Sequence, residues 1–413
     1  MSNRWKRLIP LCLERAGEVP LSVDIKVSDM KGDEISLQAL LPHVSRISHL
    51  SLTEYSSIEG VADDLPGLFV SPMLNLTSME LEQIDESTEP LPPNGAPAPP
   101  LFQNVSKLKS LHLTRTPLYP AVFSITSLVE LKLVGYTIPF HFGEFIELLH
   151  SNQNLELAIL ELQFTEGSVE ISPERKVSLP QLRRLEFTCG SAADARGLLS
   201  YVSLRRDIHI AIQGSHSNPC GDLASFLPSP PTPIRQLFAP ITAIEYWGSP
   251  VRHRTVRGDG QLSVRTSKAA PVMYDVFMLF VTEAVREFHI GAIRIDPGDR
   301  RLSWPLGRLP ALETLVLSEM SISPGSLSVL AEEPMLCPSL KTIAFFDCKM
   351  SEDAVRELGE VLEKRRDSTT ARLYRVVIIN NTQALPDLQL IHKLRKLVPH
   401  VDIGVDDKLP DFS

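Results

Sequence analysis

The sequence predicts an α/β solenoid: a parallel sheet that grows one strand at a time, with helices and loops returning the chain across its other side. Three observations predict it. Leucine fills 59 of the 413 positions. A short apolar pattern, L-x-x-L-x-L, recurs along the chain at quasi-regular spacing. Between its copies stand segments of helical periodicity, several opening on Ser or Ser-Pro, residues that suit a helix start.

Composition bounds the class. Residues are 43% hydrophobic and 22% charged, with 41 basic against 50 acidic side chains and a formal net charge of −9. So much aliphatic residue buries a large core, which excludes disorder for most of the chain. The acidity argues against a nucleic-acid or anionic-membrane binder, either of which needs a basic surface. No apolar run reaches the roughly 18 residues of a spanning helix. The opening MSNRWKRLIPLCLERAGEVP is broken by Pro10 and Glu14, too soon for a signal peptide. Five cysteines (Cys12, Cys189, Cys220, Cys337, Cys348), odd in number and never spaced C-x-x-C, read as reduced thiols of a cytoplasmic or nuclear protein.

The strong copies are Leu108-Lys-Ser-Leu111-His-Leu113, Leu128-Val-Glu-Leu131-Lys-Leu133, Leu182-Arg-Arg-Leu185-Glu-Phe187, Leu312-Glu-Thr-Leu315-Val-Leu317 and Leu340-Lys-Thr-Ile343-Ala-Phe345. Weaker ones begin at Ile47, Leu76 and Leu157. Anchored on the middle apolar residue, the first six copies are 29, 32, 20, 29 and 25 residues apart, and the last two 28. These steps lie in or near the roughly 20–29 of leucine-rich repeats. In L-x-L both leucines share one face of a short strand, and the leucine three positions upstream fills the corner entering it. One unit cannot bury its apolar side, so units must stack. The prediction is a leucine-rich-repeat solenoid with a curved parallel sheet on the concave side and helices and loops on the convex side. Residues 1–20 form an N-terminal cap and 21–413 a single solenoid of about 12–15 irregular units.

Helices are predicted over 142–150, 192–202, 273–287, 323–330, 351–362 and 385–397, with Ser351 as an N-cap and Pro324 at a first helical position. Residues 208–212, 241–246, 262–264 and 288–290 read as strands of degenerate repeats. Proline-rich stretches at 90–100 and 227–233 read as surface insertions.

The unit Leu340-Lys-Thr-Ile343-Ala-Phe345-Phe-Asp-Cys348-Lys-Met350-Ser-Glu-Asp-Ala354 resembles the cysteine-containing leucine-rich repeat best known from F-box proteins. That resemblance implies a structural role for Cys348, packed as a small apolar residue. The segment Trp5-Lys-Arg-Leu8-Ile-Pro10-Leu-Cys-Leu-Glu-Arg15-Ala-Gly-Glu-Val-Pro20-Leu-Ser-Val23 is similar to the stretch just after the F-box in F-box-like proteins of mushroom-forming fungi. The F-box itself would precede Trp5 and is expected to be absent, so docking to a ubiquitin-ligase adaptor is not supported.

Chemistry is sparse. Phosphate loop, dinucleotide fingerprint, H-E-x-x-H and nucleophile elbow are all missing, no His or Cys pair has metal-ligand spacing, and Arg257-Gly-Asp-Gly260 reads as a turn. No enzyme, cofactor or metal site is expected. Arg252, His253, Arg254, Arg257, Arg265 and Lys268 form a basic concentration that reads as a solvated hairpin. The expected function is a non-catalytic scaffold binding an unidentified protein, with no nucleic acid or membrane, like the substrate-recognition part of an F-box protein. The alternatives are an intact ligase adaptor, if an F-box is encoded upstream, and an enzyme or regulator with accessory repeats. The candidate contact residues flank the strand leucines on the concave face: His49, Ser51, Glu80, Glu82, Ser110, His112, Glu130, Lys132, Arg184, Glu186, Thr314 and Val316.

Overall fold

The computed structural model describes residues 3–26, 40–55, 73–83, 105–116, 122, 124–135, 142–162, 176–214, 223–228, 236–247, 252–258, 260–266, 277, 279–292, 294–295, 303–332, 336–366, 372–379 and 388–404. The insertion at 90–100 lies outside them, as does 229–233 of the second. The chain divides into two compact units, Met1–Ile208 and His209–Ser413.

In the first unit, helix α1 (Asn3–Arg15) is followed by strands β1 (Leu21–Lys26), β2 (Ile47–Tyr55), β3 (Ser78–Gln83), β4 (Ser110–Thr114), β5 (Glu130–Val134) and β6 (Leu157–Leu162). Next come β7 (Val177–Ser178), β8 (Arg184–Cys189) and β9 (Val202–Ser203). Strands β1 to β6 and then β8 stand side by side in chain order, all parallel, while β7 and β9 pair separately. Helices α2 (Phe142–Ser151) and α3 (Ala192–Tyr201) occupy two of the returns. A reciprocal capping box between Ser191 and Asp194 starts α3.

The repeat explains the burial. Leu111, Leu113, Leu131, Leu133, Leu185 and Phe187 are buried on one side of the strands, and the corner residues Ile47, Leu76, Leu108, Leu128 and Leu182 are fully buried. A corner residue donates its backbone N–H to the carbonyl three residues back, as in Leu76 to Met73, Leu108 to Val105 and Leu182 to Leu179, at 3.0–3.2 Å. Leaving the strands, Arg115, Gly135, Ala292, Glu319 and Asp347 each take a positive φ of 50–75°.

One unit is out of step with the sequence reading. β6 pairs Leu131 with Ala158 and Leu133 with Leu160, so its corner is the fully buried Leu155, not Leu157. Leu155 repeats the corner bond, donating to Asn152 at 3.1 Å. Leu157 therefore lies on the opposite side of the strand.

In the second unit the strands are β10 (His209–Gly214), β11 (Ala243–Trp247), β12 (Arg252–Arg257), β13 (Gln261–Thr266), β14 (Glu287–Gly291) and β15 (Arg294–Ile295). They continue with β16 (Thr314–Ser318), β17 (Ser321–Ile322), β18 (Thr342–Phe346), β19 (Lys349–Met350), β20 (Arg375–Ile379) and β21 (His400–Gly404). The sheet order is β10-β13-β12-β11-β14-β16-β18-β20-β21. β12 runs antiparallel to both its neighbours, and the other pairings shown are parallel. Two of the expected degenerate repeats are thus arms of a three-stranded meander, with the Gly258 N–H donating to the Gly260 carbonyl at one hairpin. β15, β17 and β19 form a small parallel ladder of their own. Helices α4 (Ser328–Glu332), α5 (Glu352–Arg366) and α6 (Leu388–Leu397) pack in sequence, α4 on α5 and α5 on α6.

Ser351 caps α5 as expected, accepting from the Ala354 N–H at 3.2 Å. α4 begins at Ser328 rather than at Pro324, because the Ser323 carbonyl takes the Ser326 N–H in a turn through Gly325 at φ +87°. The helix expected over 273–287 is not formed in the described part after Leu279: Val285 donates to Thr282 as a corner residue and Glu287 begins β14. Cys348 is 1% exposed and donates its thiol to the Leu317 carbonyl at 3.3 Å, and burial pushes its pKa up to about 11. Among the described residues no helix is long and apolar enough to cross a membrane, and no three His, Cys, Asp or Glu side chains gather to hold a metal.

Candidate protein-recognition face

Pleating sends alternate strand residues to the side away from the leucine core. In the first unit the register lines these residues up in two unbroken rows. One row runs Asp24, Ser51, Glu80, His112, Lys132, Ile159, Glu186. The other runs Ser22, His49, Ser78, Ser110, Glu130, Leu157, Arg184. Glu82 pairs with Thr114 beyond them. Ten of the twelve candidate contact residues therefore sit on one face of the first unit.

Neighbours along the rows bond across strands. His112 Nδ1 lies 3.0 Å from a Glu80 carboxylate oxygen, and Ser110 Oγ donates to Glu130 at 3.1 Å. On β8, Arg184 Nε donates to Glu186 at 2.6 Å. These groups are half-buried or exposed, in the range where ion pairs orient side chains more than they stabilise the fold. Counting Lys26 and Glu161 on the same face, six carboxylates (Asp24, Glu80, Glu82, Glu130, Glu161, Glu186) stand against three cations (Lys26, Lys132, Arg184) among the described residues.

Two candidates are not available for contact. Ser51 is 5% exposed and Val316 1%. Val316 and Thr314 belong to the second unit, on β16. There Val316 packs in an apolar cluster with Ala344, Phe346, Val377 and Ile379, all on the side away from the leucine core. The runs Ile343-Ala-Phe-Phe346 and Val376-Val-Ile-Ile379 already carry that signal, since a run apolar at four successive strand positions is buried on both faces. Thr314 is half-buried.

Two residues of the face escape sequence reasoning. Leu157 and Ile159 are half-buried on β6, side by side on the polar side of the sheet, with Glu130 and Lys132 on one flank and Arg184 and Glu186 on the other. The usable signal is the buried Leu155-x-x-Ala158-x-Leu160, in which an alanine replaces a leucine.

The second unit has a smaller polar group at its meander. Thr255 and Ser263 are buried and their hydroxyls lie 3.1 Å apart, and Arg257 pairs with Glu245. His289 is the cross-strand neighbour of Glu245, and its Nε2 is buried without a hydrogen-bond partner. Burial first, and the Arg257 charge second, lower the His289 pKa to about 4, so the imidazole is neutral at pH 7. Of the predicted basic concentration, Arg257 is the residue whose side chain is described, and its charge is met by Glu245.

The fold and face define an α/β repeat protein, solenoid-like within each unit and built on a mostly parallel sheet. No family model matches the chain, and no curated protein does. Among solved structures, a Bacteroides fragilis protein solved as a structural genomics target is similar at 12% identity, over 88% of this chain and 76% of that one, with a TM-score of 0.26. A superposition that loose carries no argument.

Proposed function

We propose that this chain is a non-catalytic protein-protein interaction scaffold, similar to the substrate-recognition part of an F-box leucine-rich-repeat protein. The observation that carries the reading is the pair of rows across seven parallel strands, whose polar side chains differ from strand to strand. Side chains that differ from strand to strand give such a face the means to tell one partner from another. The buried Cys348 supports repeats of the cysteine-containing kind. The unbridged thiols Cys12, Cys189, Cys337 and Cys348 agree with a cytoplasmic or nuclear protein.

Affinity purification with mass spectrometry tests it, with the full chain as bait beside a variant carrying Glu130→Lys, Lys132→Glu, Arg184→Glu and Glu186→Arg. A specific protein captured by the natural chain and lost by a variant of equal melting temperature supports the reading. An unchanged set of captured proteins overturns it. Recovery of a cullin with its adaptor assigns the ligase-adaptor alternative instead.

A further inference from the structure

We infer that Leu157 and Ile159 form the anchor point of the recognition face, and that the occupant is an extended segment of a protein partner carrying an apolar side chain between basic ones. The inference rests on the scaffold reading and deepens it.

The register of β6 carries it. Leu155, Ala158 and Leu160 fill the corner and core positions of this unit, so the packing of the repeat does not use Leu157 or Ile159. Both lie on the open side and stay half-buried between two charged flanks. An apolar centre with a charged rim is the arrangement in which truncating a few side chains removes most of the binding energy, because the rim excludes water from the centre. The centre runs along one strand, its two side chains two residues apart, which suits an extended segment whose alternate side chains point down at it.

Charge decides what flanks the anchor. On β8 the Arg184 guanidinium is held by Glu186. Glu130, next to Leu157 across the β5–β6 ladder, and Glu161, the next outward position after Ile159, add negative potential beside the apolar pair. With six carboxylates against three cations among the described residues of the face, basic residues on the partner are attracted and acidic ones repelled. That selects for lysine or arginine on either side of the apolar side chain.

Three fluorescein-labelled synthetic peptides of equal length serve as probes, with alternating Lys and Leu, Glu and Leu, or Lys and Ser, titrated against the full chain by anisotropy. The Lys–Leu peptide should bind about tenfold or more tighter than either other one. The double variant Leu157→Thr/Ile159→Thr keeps a β-branched residue at Ile159 and a strand-forming one at Leu157, and should lose about tenfold on that peptide while melting at the same temperature. Glu130→Lys with Glu161→Lys should erase the preference for Lys over Glu. Equal binding of the Lys–Leu and Glu–Leu peptides, unchanged binding by the threonine variant, or no binding of any peptide overturns the inference. The two levels separate cleanly. If captured proteins are lost with the four-charge variant but kept with the threonine variant, the anchor falls and the scaffold reading stands. If neither variant loses them, both fall.

Discussion

Asn152, at the turn between α2 and β6, is a polar side chain at a corner-turn position, and replacing it should have a large effect. It is 2% exposed. Its Nδ2 donates to the Ile125 carbonyl at 2.7 Å and the Leu148 carbonyl at 2.8 Å, and its Oδ1 accepts the Leu128 N–H at 2.9 Å. Two carbonyls opposite the amino group and one N–H opposite the oxygen fix the amide orientation. Asn152→Ala leaves three buried backbone groups without partners. Each such group costs about 1–3 kcal/mol, so the loss should be roughly 3 kcal/mol or more. Asn152→Asp should be worse at pH 7, since it sets a buried carboxylate against two carbonyl oxygens. Those surroundings raise the introduced carboxyl's pKa in the folded state above its unfolded value. The protonated form is then favoured on folding, and the penalty, full above the folded pKa, should shrink as the pH falls towards 4. Urea unfolding followed by far-ultraviolet circular dichroism reads both effects. A loss below about 1 kcal/mol for the alanine variant, or an aspartate variant as stable as it at pH 7, would refute the reasoning.

Other outcomes follow from the same geometry. Gly258→Ala would put a Cβ 1.9 Å from the Phe238 carbonyl oxygen, so the β12–β13 hairpin must shift, and the melting temperature should fall by several degrees. Gly143→Ala meets nothing within 4 Å and should leave it unchanged or slightly higher. Glu319→Gly and Asp347→Gly, at strand exits with φ of 53° and 50°, should each stabilise by up to about 1 kcal/mol in urea titrations. Burial pushes the Cys337 and Cys348 thiols up to about 12 and about 11, so at pH 8 a maleimide should label the exposed Cys12 and reach these two only on unfolding, as peptide mapping will show. The lowered His289 pKa means that the unfolded chain binds more protons between about pH 4 and 6.5. Stability from this group is present above 6.5 and lost as the pH falls to 4, about 2 kcal/mol between pH 7 and 5, and His289→Gln should remove that part of the pH dependence in urea titrations.

What was legible in the sequence followed the strength of the side-chain code. Copies with leucine or its equivalents at all three positions, such as those at Leu108, Leu128, Leu312 and Leu340, sit at the corner and core positions that the pattern implies. Val285-Arg-Glu-Phe288-His-Ile290, Leu373-Tyr-Arg-Val376-Val-Ile378 and Val398-Pro-His-Val401-Asp-Ile403 do the same job with other apolar residues and went unread as full units. Any aliphatic residue of suitable size fills those sites, so the physics is more permissive than the motif. At β6, Leu155, Leu157, Leu160 and Leu162 admit two alignments that the pattern alone does not separate. Cross-strand pairing decides between them and moves Leu157 from the corner to the face. The meander was invisible for a related reason: period-two alternation marks a strand but not its direction.

The second side of the sheet differs in part between the two units. In the second unit Val316, Ala344, Phe346, Val377 and Ile379 are buried, so there the second side of β16, β18 and β20 serves that unit's own packing. In the first unit the corresponding row holds the buried Ser51 and then Glu80, His112, Lys132, Ile159 and Glu186, of which none is fully buried. Polar side chains there add little to stability, since half-exposed pairs such as Glu80 with His112 lie where solvent screens them. Folding alone would be served as well by threonine and serine at these positions. Under the proposed reading, the half-buried Ile159, between Lys132 and Glu186, is available to a partner. On the same scaffold reading, substitutions on β5, β6 and β8 should separate binding from stability more sharply than those on the buried second side of β16, β18 and β20.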